Sequence, residues 1–305
     1  MTLIDQGAPT AIEGAPEPTG VDDLGAARPL RADVWRRFRR NRLAMVGLAF
    51  IVLLVLVAIF APLIAPYGIT ERTSGQARQG PSLDHLFGTD NIGRDVFSRV
   101  VYGARVSLRI GILATAIALV IGVPLGAVSG FLGGVTDTLI MRVTDVFLAI
   151  PYIVLAVAIA TVLGRSENSI IIIIGVIIWT SIARIVRSSF LSLKRLEYVE
   201  AATALGFSRL RIMFRHILPN ALQPVIIYGT IAIGAVILTE AALSFVGVGP
   251  QDPTPAWGKM VAEAKSNLTN APHMLFFPAG AIFMTVLSFV FVGDGLRDSL
   301  DPKLK

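Results

Sequence analysis

The sequence predicts an all-α polytopic membrane protein with six transmembrane helices and both termini in the cytoplasm. Three observations lead there. Of 305 residues, 54% are hydrophobic and only 16% charged, and the mean hydropathy is +0.70, outside the balance of a soluble domain. Six apolar runs each suffice to cross about 30 Å of hydrocarbon as a helix of roughly 20 residues. Lysine and arginine gather on one side of those runs, as they do on the cytoplasmic face of a membrane.

Along the chain, residues 1–29 are rich in Ala, Gly, Pro, Asp and Glu and lack hydrophobic periodicity. They are expected to form a disordered cytoplasmic tail, because so little apolar surface does not offset the entropy of ordering, and they lack the apolar core of a secretory signal. Residues 30–66 hold an anchor, WRRFRRNR from Trp35 to Arg42, and the first span, Leu43 to Ile64. Residues 67–106 form an extracytoplasmic segment. The core, 107–296, carries the other spans: Ser107 to Gly130, Val143 to Leu163, Ile170 to Phe190, Leu222 to Val246 and Met274 to Leu296. A cytoplasmic loop at about 191–221 interrupts it, and 297–305 end the chain inside. Runs so uniformly apolar lack the alternation of a barrel strand. With the N-terminus inside, 18 of the 27 Lys and Arg residues fall on inner segments, counting Arg184 to Arg215 as loop, and nine on outer ones.

Several chemistries lack material. Cysteine is absent, and His85, His216 and His273 are scattered, so neither thiolate chemistry nor a zinc site is expected. No phosphate-binding G-x-x-x-x-G-K-[ST] loop exists; the only Gly-Lys pair, Gly258-Lys259, precedes Met260, so the chain is not expected to hydrolyse ATP by itself. Ionisable groups within spans are costly and usually functional. Asp145 and Glu240 are therefore candidates for the pathway or for helix packing. In the second span Gly122, Gly126 and Gly130 are spaced for close helix contact.

The longest patterned polar stretch is YVEAATALGFSRLRIMFRHILPN, Tyr198 to Asn220. Lys194 to Leu205 reads as a short helix ended by Gly206, which tolerates a left-handed terminus. Ser208 can cap the next helix, where Leu210, Met213, Phe214 and Ile217 form an apolar stripe away from Arg209, Arg211 and Arg215. Pro219 then separates this helix from the fifth span. Such a basic amphipathic pair suits a lipid surface, a soluble partner, or, with little support given its tethers to two spans, DNA.

The order Glu200-Ala201-Ala202, Gly206, Ile217-Leu218-Pro219 resembles the EAA signature of permease subunits in bacterial ATP-binding-cassette (ABC) importers. LFGTDNIGRDVFSRVVYGARVSL (Leu86 to Leu108), MRVTDVFLAIPYIVLAVAI (Met141 to Ile159) and LTEAALSFVGVGPQDPTPAWGKM (Leu238 to Met260) are similar to stretches of the C-type permease of dipeptide and oligopeptide importers. The resemblance implies a type I ABC importer permease fold in the bacterial inner membrane. It also implies a heterodimer with a B-type permease, an extracytoplasmic solute-binding protein, surrounding lipid and no nucleic acid. Two ATP-binding subunits would hold ATP and Mg, with no cofactor on this chain. The implied docking residues are Glu200, Ala201, Ala202 and Gly206, then Phe207, Ser208, Arg209, Leu210 and Arg211, with Phe214, Leu218 and Pro219 beyond. Gly88, Asp90, Gly93, Arg94 and Asp95 are expected to organise the outer segment. Relatives handle dipeptides, longer peptides, glutathione, nickel complexes and antimicrobial peptides. An ion-coupled secondary transporter or channel is the more distant alternative.

Overall fold

The computed structural model describes residues 30–73 and 75–300; the expected tail at 1–29 and the last residues, 301–305, lie outside them. In chain order come α1 (Leu30–Arg40), α2 (Arg42–Ile59), the short α3 (Ala61–Ile64) and α4 (Val96–Leu132). Next are α5 (Gly134–Ala149), α6 (Tyr152–Leu163), α7 (Glu167–Leu193) and α8 (Glu197–Ala204). A single turn, α9 (Arg209–Arg211), passes through a π-helical segment (Ile212–Ile217) into α10 (Leu218–Phe245), followed by α11 (Trp257–Ala264) and α12 (His273–Leu300). The described residues contain no strand, only an isolated bridge between Thr89 and Asp95.

Among the described residues five helices are long and apolar enough to cross a membrane, and α5 with α6, bent by 92°, passes the same test as a pair, which gives six if the bent pair is one span. The expected third span, Val143 to Leu163, therefore contains a break at 150–151 rather than one continuous helix. Pro151 lacks an N–H and disfavours helical geometry in the residue before it; Ile150 accordingly has φ −92° and ψ 126°. A second correction concerns α4. The expected boundary between outer segment and core at 106/107 falls inside this helix, because Asp95 caps it by accepting from Ser98 N at 2.7 Å. With 37 residues α4 is about 55 Å long.

The centre of the bundle is the contact of α4 with α7, made close by glycine. A Cβ added to Gly122 would lie 2.7 Å from the Trp179 carbonyl oxygen, and one on Gly126 at 2.4 Å from that of Ala183. Gly175 opposes Ile117 in the same way from α7. Towards α8, a core including Ile182, Val186, Phe190, Ile217 and Val225 joins α4, α7 and α10. At the opposite end Trp257 is buried, and its indole N–H donates to the Val100 carbonyl at 2.9 Å. We refer to these as the α8 end and the α11 end.

Candidate functional site

At the α8 end the chain makes a tight helix–turn–helix. Glu197 and Glu200 occupy the first turn of α8, where carboxylates favour the positive end of the helix. Gly206 has φ +77°, its N–H bonds to the Thr203 carbonyl, and the N–H of Phe207 reaches back to Ala202 O at 3.2 Å. This is the paired bonding of a Schellman stop, which needs a left-handed residue at the glycine. Ser208 then accepts from Arg211 N at 3.4 Å and starts the next helix. Phe207 stacks on His216 with ring centroids 5.8 Å apart, and the Arg211 guanidinium lies 5.4 Å from the Phe207 centroid.

The unit has one packed side and one free side. Val199, Ala202, Ile212, Met213 and Ile217 are buried against α4 and α7. Glu200, Ala201, Gly206, Ser208, Arg209, Arg211 and Pro219 are exposed, and Leu218 is half-buried. Leu210 and Phe214 are 66% and 58% exposed, with Leu205 and Phe207 also open. An apolar patch rimmed by arginines marks an interaction surface. Beside it a cavity of about 660 Å³ is lined by Phe131, Lys194, Glu200, Thr203, Phe207 and Arg209, among others.

Three expectations about this unit are corrected. The helix expected over Lys194 to Leu205 covers only Glu197–Ala204, since Lys194 caps α7. The stripe of Leu210, Met213, Phe214 and Ile217 is split, with Met213 and Ile217 inside and the other two out. A π turn bonds five residues back, so Ile212 aligns with Ile217 and the 3.6-residue period no longer applies. Nor does Pro219 separate this segment from the fifth span: Arg209–Phe245 runs on as one 37-residue helix, with Pro219 in the first turn of α10.

The two carboxylates singled out within spans lie apart. Asp145 on α5 pairs with Arg184 on α7 at 2.6 Å, both side chains about half exposed. Glu240 on α10 is 1% exposed; its Oε1 accepts from Ser244 Oγ at 2.6 Å, and Oε2 is buried against Gly258. A second pair, Arg187 to Asp137 at 2.5 and 2.6 Å, also links α7 to α5. Arg184 and Arg187 were counted above as loop residues, yet both sit within α7. Their i, i+3 spacing inside an apolar run was the available signal.

The outer-segment residues come together at the α11 end. Gly88 and Gly93 adopt φ +76° and +80°, and Asp90 folds the turn by accepting from the N–H groups of Ile92 and Arg94 at 3.0 and 2.9 Å. Asp95 accepts from Ser98 N and pairs with His85 at 2.9 Å. Arg94 reaches Asp90 at 2.5 Å, Asp252 at 3.1 Å and Glu263 at 3.3 Å, which ties the segment to the α10–α11 turn. Burial alone would lower the Arg94 pKa, but Asp90, Glu263 and Asp252 outweigh it and raise it. Burial likewise pushes Asp252 up, and Lys259 with Arg94 prevails to hold it below the usual carboxylate range. Arg94→Ala would leave Asp90 and Glu263 without this partner and is expected to cost about 3 kcal/mol, read as a lower Tm of the purified protein; an unchanged Tm would contradict the clamp.

The model of the family described as "Binding-protein-dependent transport system inner membrane component" matches residues 122–305, and that of the "N-terminal TM domain of oligopeptide transport permease C" matches residues 29–81. The "Dipeptide transport system permease protein DppC" of Alkalihalophilus pseudofirmus is 44% identical over 293 residues, 95% of this chain and 96% of that protein. The "Glutathione transport system permease protein GsiD" of Shigella sonnei is 46% identical over 274 residues, 90% of each. Among solved structures, a chain of the inward-facing MetNI methionine ABC transporter superposes with TM-score 0.58 at 20% identity, covering 67% of this chain and 98% of that one. This last likeness concerns the fold.

Proposed function

The chain belongs to the family of binding-protein-dependent transport system inner membrane components, and on that premise we propose that it is the C-type permease of a peptide-class ABC importer, docked by ATP-binding subunits at its α8 end. The observation that carries this reading is the exposed α8–Gly206–α9 turn, which leads directly into the 37-residue helix Arg209–Phe245. A push on the turn is thereby delivered to α10, whose far end packs Glu240 against Gly258. Leu205, Phe207, Leu210 and Phe214 offer apolar contact, and Glu200, Arg209 and Arg211 offer charged partners at its rim.

In this account the α8 end faces the cytoplasm, in keeping with the bias of Lys and Arg, and both termini lie on that side. A B-type permease completes the pathway, an extracytoplasmic solute-binding protein delivers the substrate at the α11 end, and the two ATP-binding subunits hold ATP and Mg. ATP shifts the permease pair only to the extent that the nucleotide-bound subunits bind one arrangement more tightly than the other. The substrate is a dipeptide or oligopeptide. Glutathione, itself a small peptide, is the second reading, favoured by the 46% identity to a glutathione permease.

Affinity purification from a mild detergent is expected to recover a second permease together with ATP-binding subunits, and a Leu210→Glu, Phe214→Glu variant to lose only the latter. Recovery of this chain as a self-associated species with neither would overturn the assignment.

A further inference from the structure

The Asp145–Arg184 pair is placed where an ion pair has no ordinary structural reason to be. Arg184 is nine residues before the end of α7 and 17 after its start, so it lies about 14 Å and 26 Å from the two ends. Asp145 is five residues before the bend at Ile150. Both side chains are about half exposed; on the same face of α5, Leu148 one turn on is apolar and 46% exposed, while Arg142 one turn before adds a further exposed cation. Charges facing acyl chains cost several kcal/mol; this face is therefore turned away from lipid, towards the space shared with the partner permease, where water or a polar ligand can reach it. Nor is the pair needed to fasten α5 to α7. The two-pronged Arg187–Asp137 contact does that, buttressed by Ser129 of α4 at 2.5 Å from Asp137.

A cavity of about 220 Å³ opens one turn away, lined in part by Leu148, Tyr152, Ile177, Ser181 and Thr239. Leu148 is three residues from Asp145, and Ser181 and Ile177 are three and seven from Arg184, so these side chains share the faces that carry the pair. A second hollow of about 500 Å³ also touches Tyr152 and Thr239. The first lies in the elbow of the 92° bend, with Leu148 from α5 and Tyr152 from α6 in its lining, and the second lies beside it between the start of α6 and α10; as neighbours that share Tyr152 and Thr239 they add up to the size of a small-molecule site, about 300–1,000 Å³.

We propose that this elbow is a transit site for short zwitterionic peptides, in which the Asp145–Arg184 pair opens to take the α-ammonium on Asp145 and the α-carboxylate on Arg184. The exchange conserves charge: each side chain gives up one counter-ion and gains another. Arg184 can hold the carboxylate with two parallel N–H donors, while Leu148, Ile177 and Tyr152 receive apolar side chains and the Ser181 and Thr239 hydroxyls lie beside the peptide backbone. The site rests on the peptide-importer reading above and adds where and through which groups the cargo is held.

The chain has no cysteine, so Ser181→Cys gives it a single thiol at the cavity. In the assembled transporter without nucleotide, a water-soluble maleimide is expected to label that thiol, read on this chain by mass. Dialanine at about ten times its Kd should slow labelling roughly tenfold by mass action, with glutathione run in parallel, whereas N-acetyl-dialanine amide, which lacks both charges, should not. Asp145→Asn or Arg184→Gln in the same background should abolish protection. An unlabelled thiol, one that peptide does not protect, or equal protection by the uncharged analogue overturns the site. Where the variants fail to accumulate, the comparison of charged and uncharged peptides on the Ser181→Cys protein decides alone. ATP-driven uptake measured in the same preparation separates the two claims: uptake without protection sinks the transit site only, and absence of any peptide uptake sinks the functional reading.

Discussion

A transporter carrying Gly206→Trp is expected to insert and assemble its permease pair normally but to lose more than roughly nine-tenths of its ATP-driven uptake, a penalty of about 1.4 kcal/mol or more at the docking step. The residue sits at φ +77° with no atom within 4 Å of where a Cβ would point. Strain in the left-handed region costs any L-residue about 1 kcal/mol, and the indole has nowhere to go except outward, between Leu205 and Phe207 on the free surface. None of the packing between α8 and the bundle runs through that point, since Val199 and Ala202 face the other way. Membrane abundance should therefore stay near wild type while coupling fails. Gly206→Ala, which adds the strain without the bulk, should lose much less. Wild-type uptake by the Trp variant would remove the turn from the energy pathway.

Gly126→Leu is expected to act on folding instead. Its Cβ would meet the Ala183 carbonyl oxygen at 2.4 Å and the Val186 Cβ at 2.8 Å, and a backbone atom cannot rotate away as a side chain can. Separating α4 from α7 also disturbs Gly122 and Gly130, whose Cβ positions face Trp179 and Phe190 in the same seam. Overpacking of this kind costs about 3 kcal/mol or more, so the variant should show a markedly lower Tm in detergent and poor accumulation in the membrane. Gly126→Ala should fall between. A Leu variant as stable as wild type would mean that the two helices do not meet as closely as described.

What could be read from the residues, and what could not, follows from the range of each signal. The turn at Gly206 and Ser208 was visible because helix stops and caps are set by neighbours within five residues, and the bundle because hydropathy sums over a window. The bend at Ile150 escaped although Pro151 stood in plain sight: an apolar run looks the same whether or not its backbone continues. The π segment was invisible to any 3.6-residue template, so Leu210 and Phe214 were grouped with Met213 and Ile217 when they face the opposite way. Partnerships across the fold carried no local mark. Arg94 meets Asp252 across 158 residues and Glu263 across 169, and Arg184 meets Asp145 across 39.

The measurement that bears most directly on the account is uptake of labelled dipeptide or glutathione into proteoliposomes holding this chain, its partner permease and the ATP-binding subunits, with solute-binding protein outside. Accumulation that requires ATP and Mg on the α8 side and is unaffected by collapsing proton and sodium gradients is the predicted result. Accumulation by this chain without ATP-binding subunits, driven by an ion gradient alone, would contradict it.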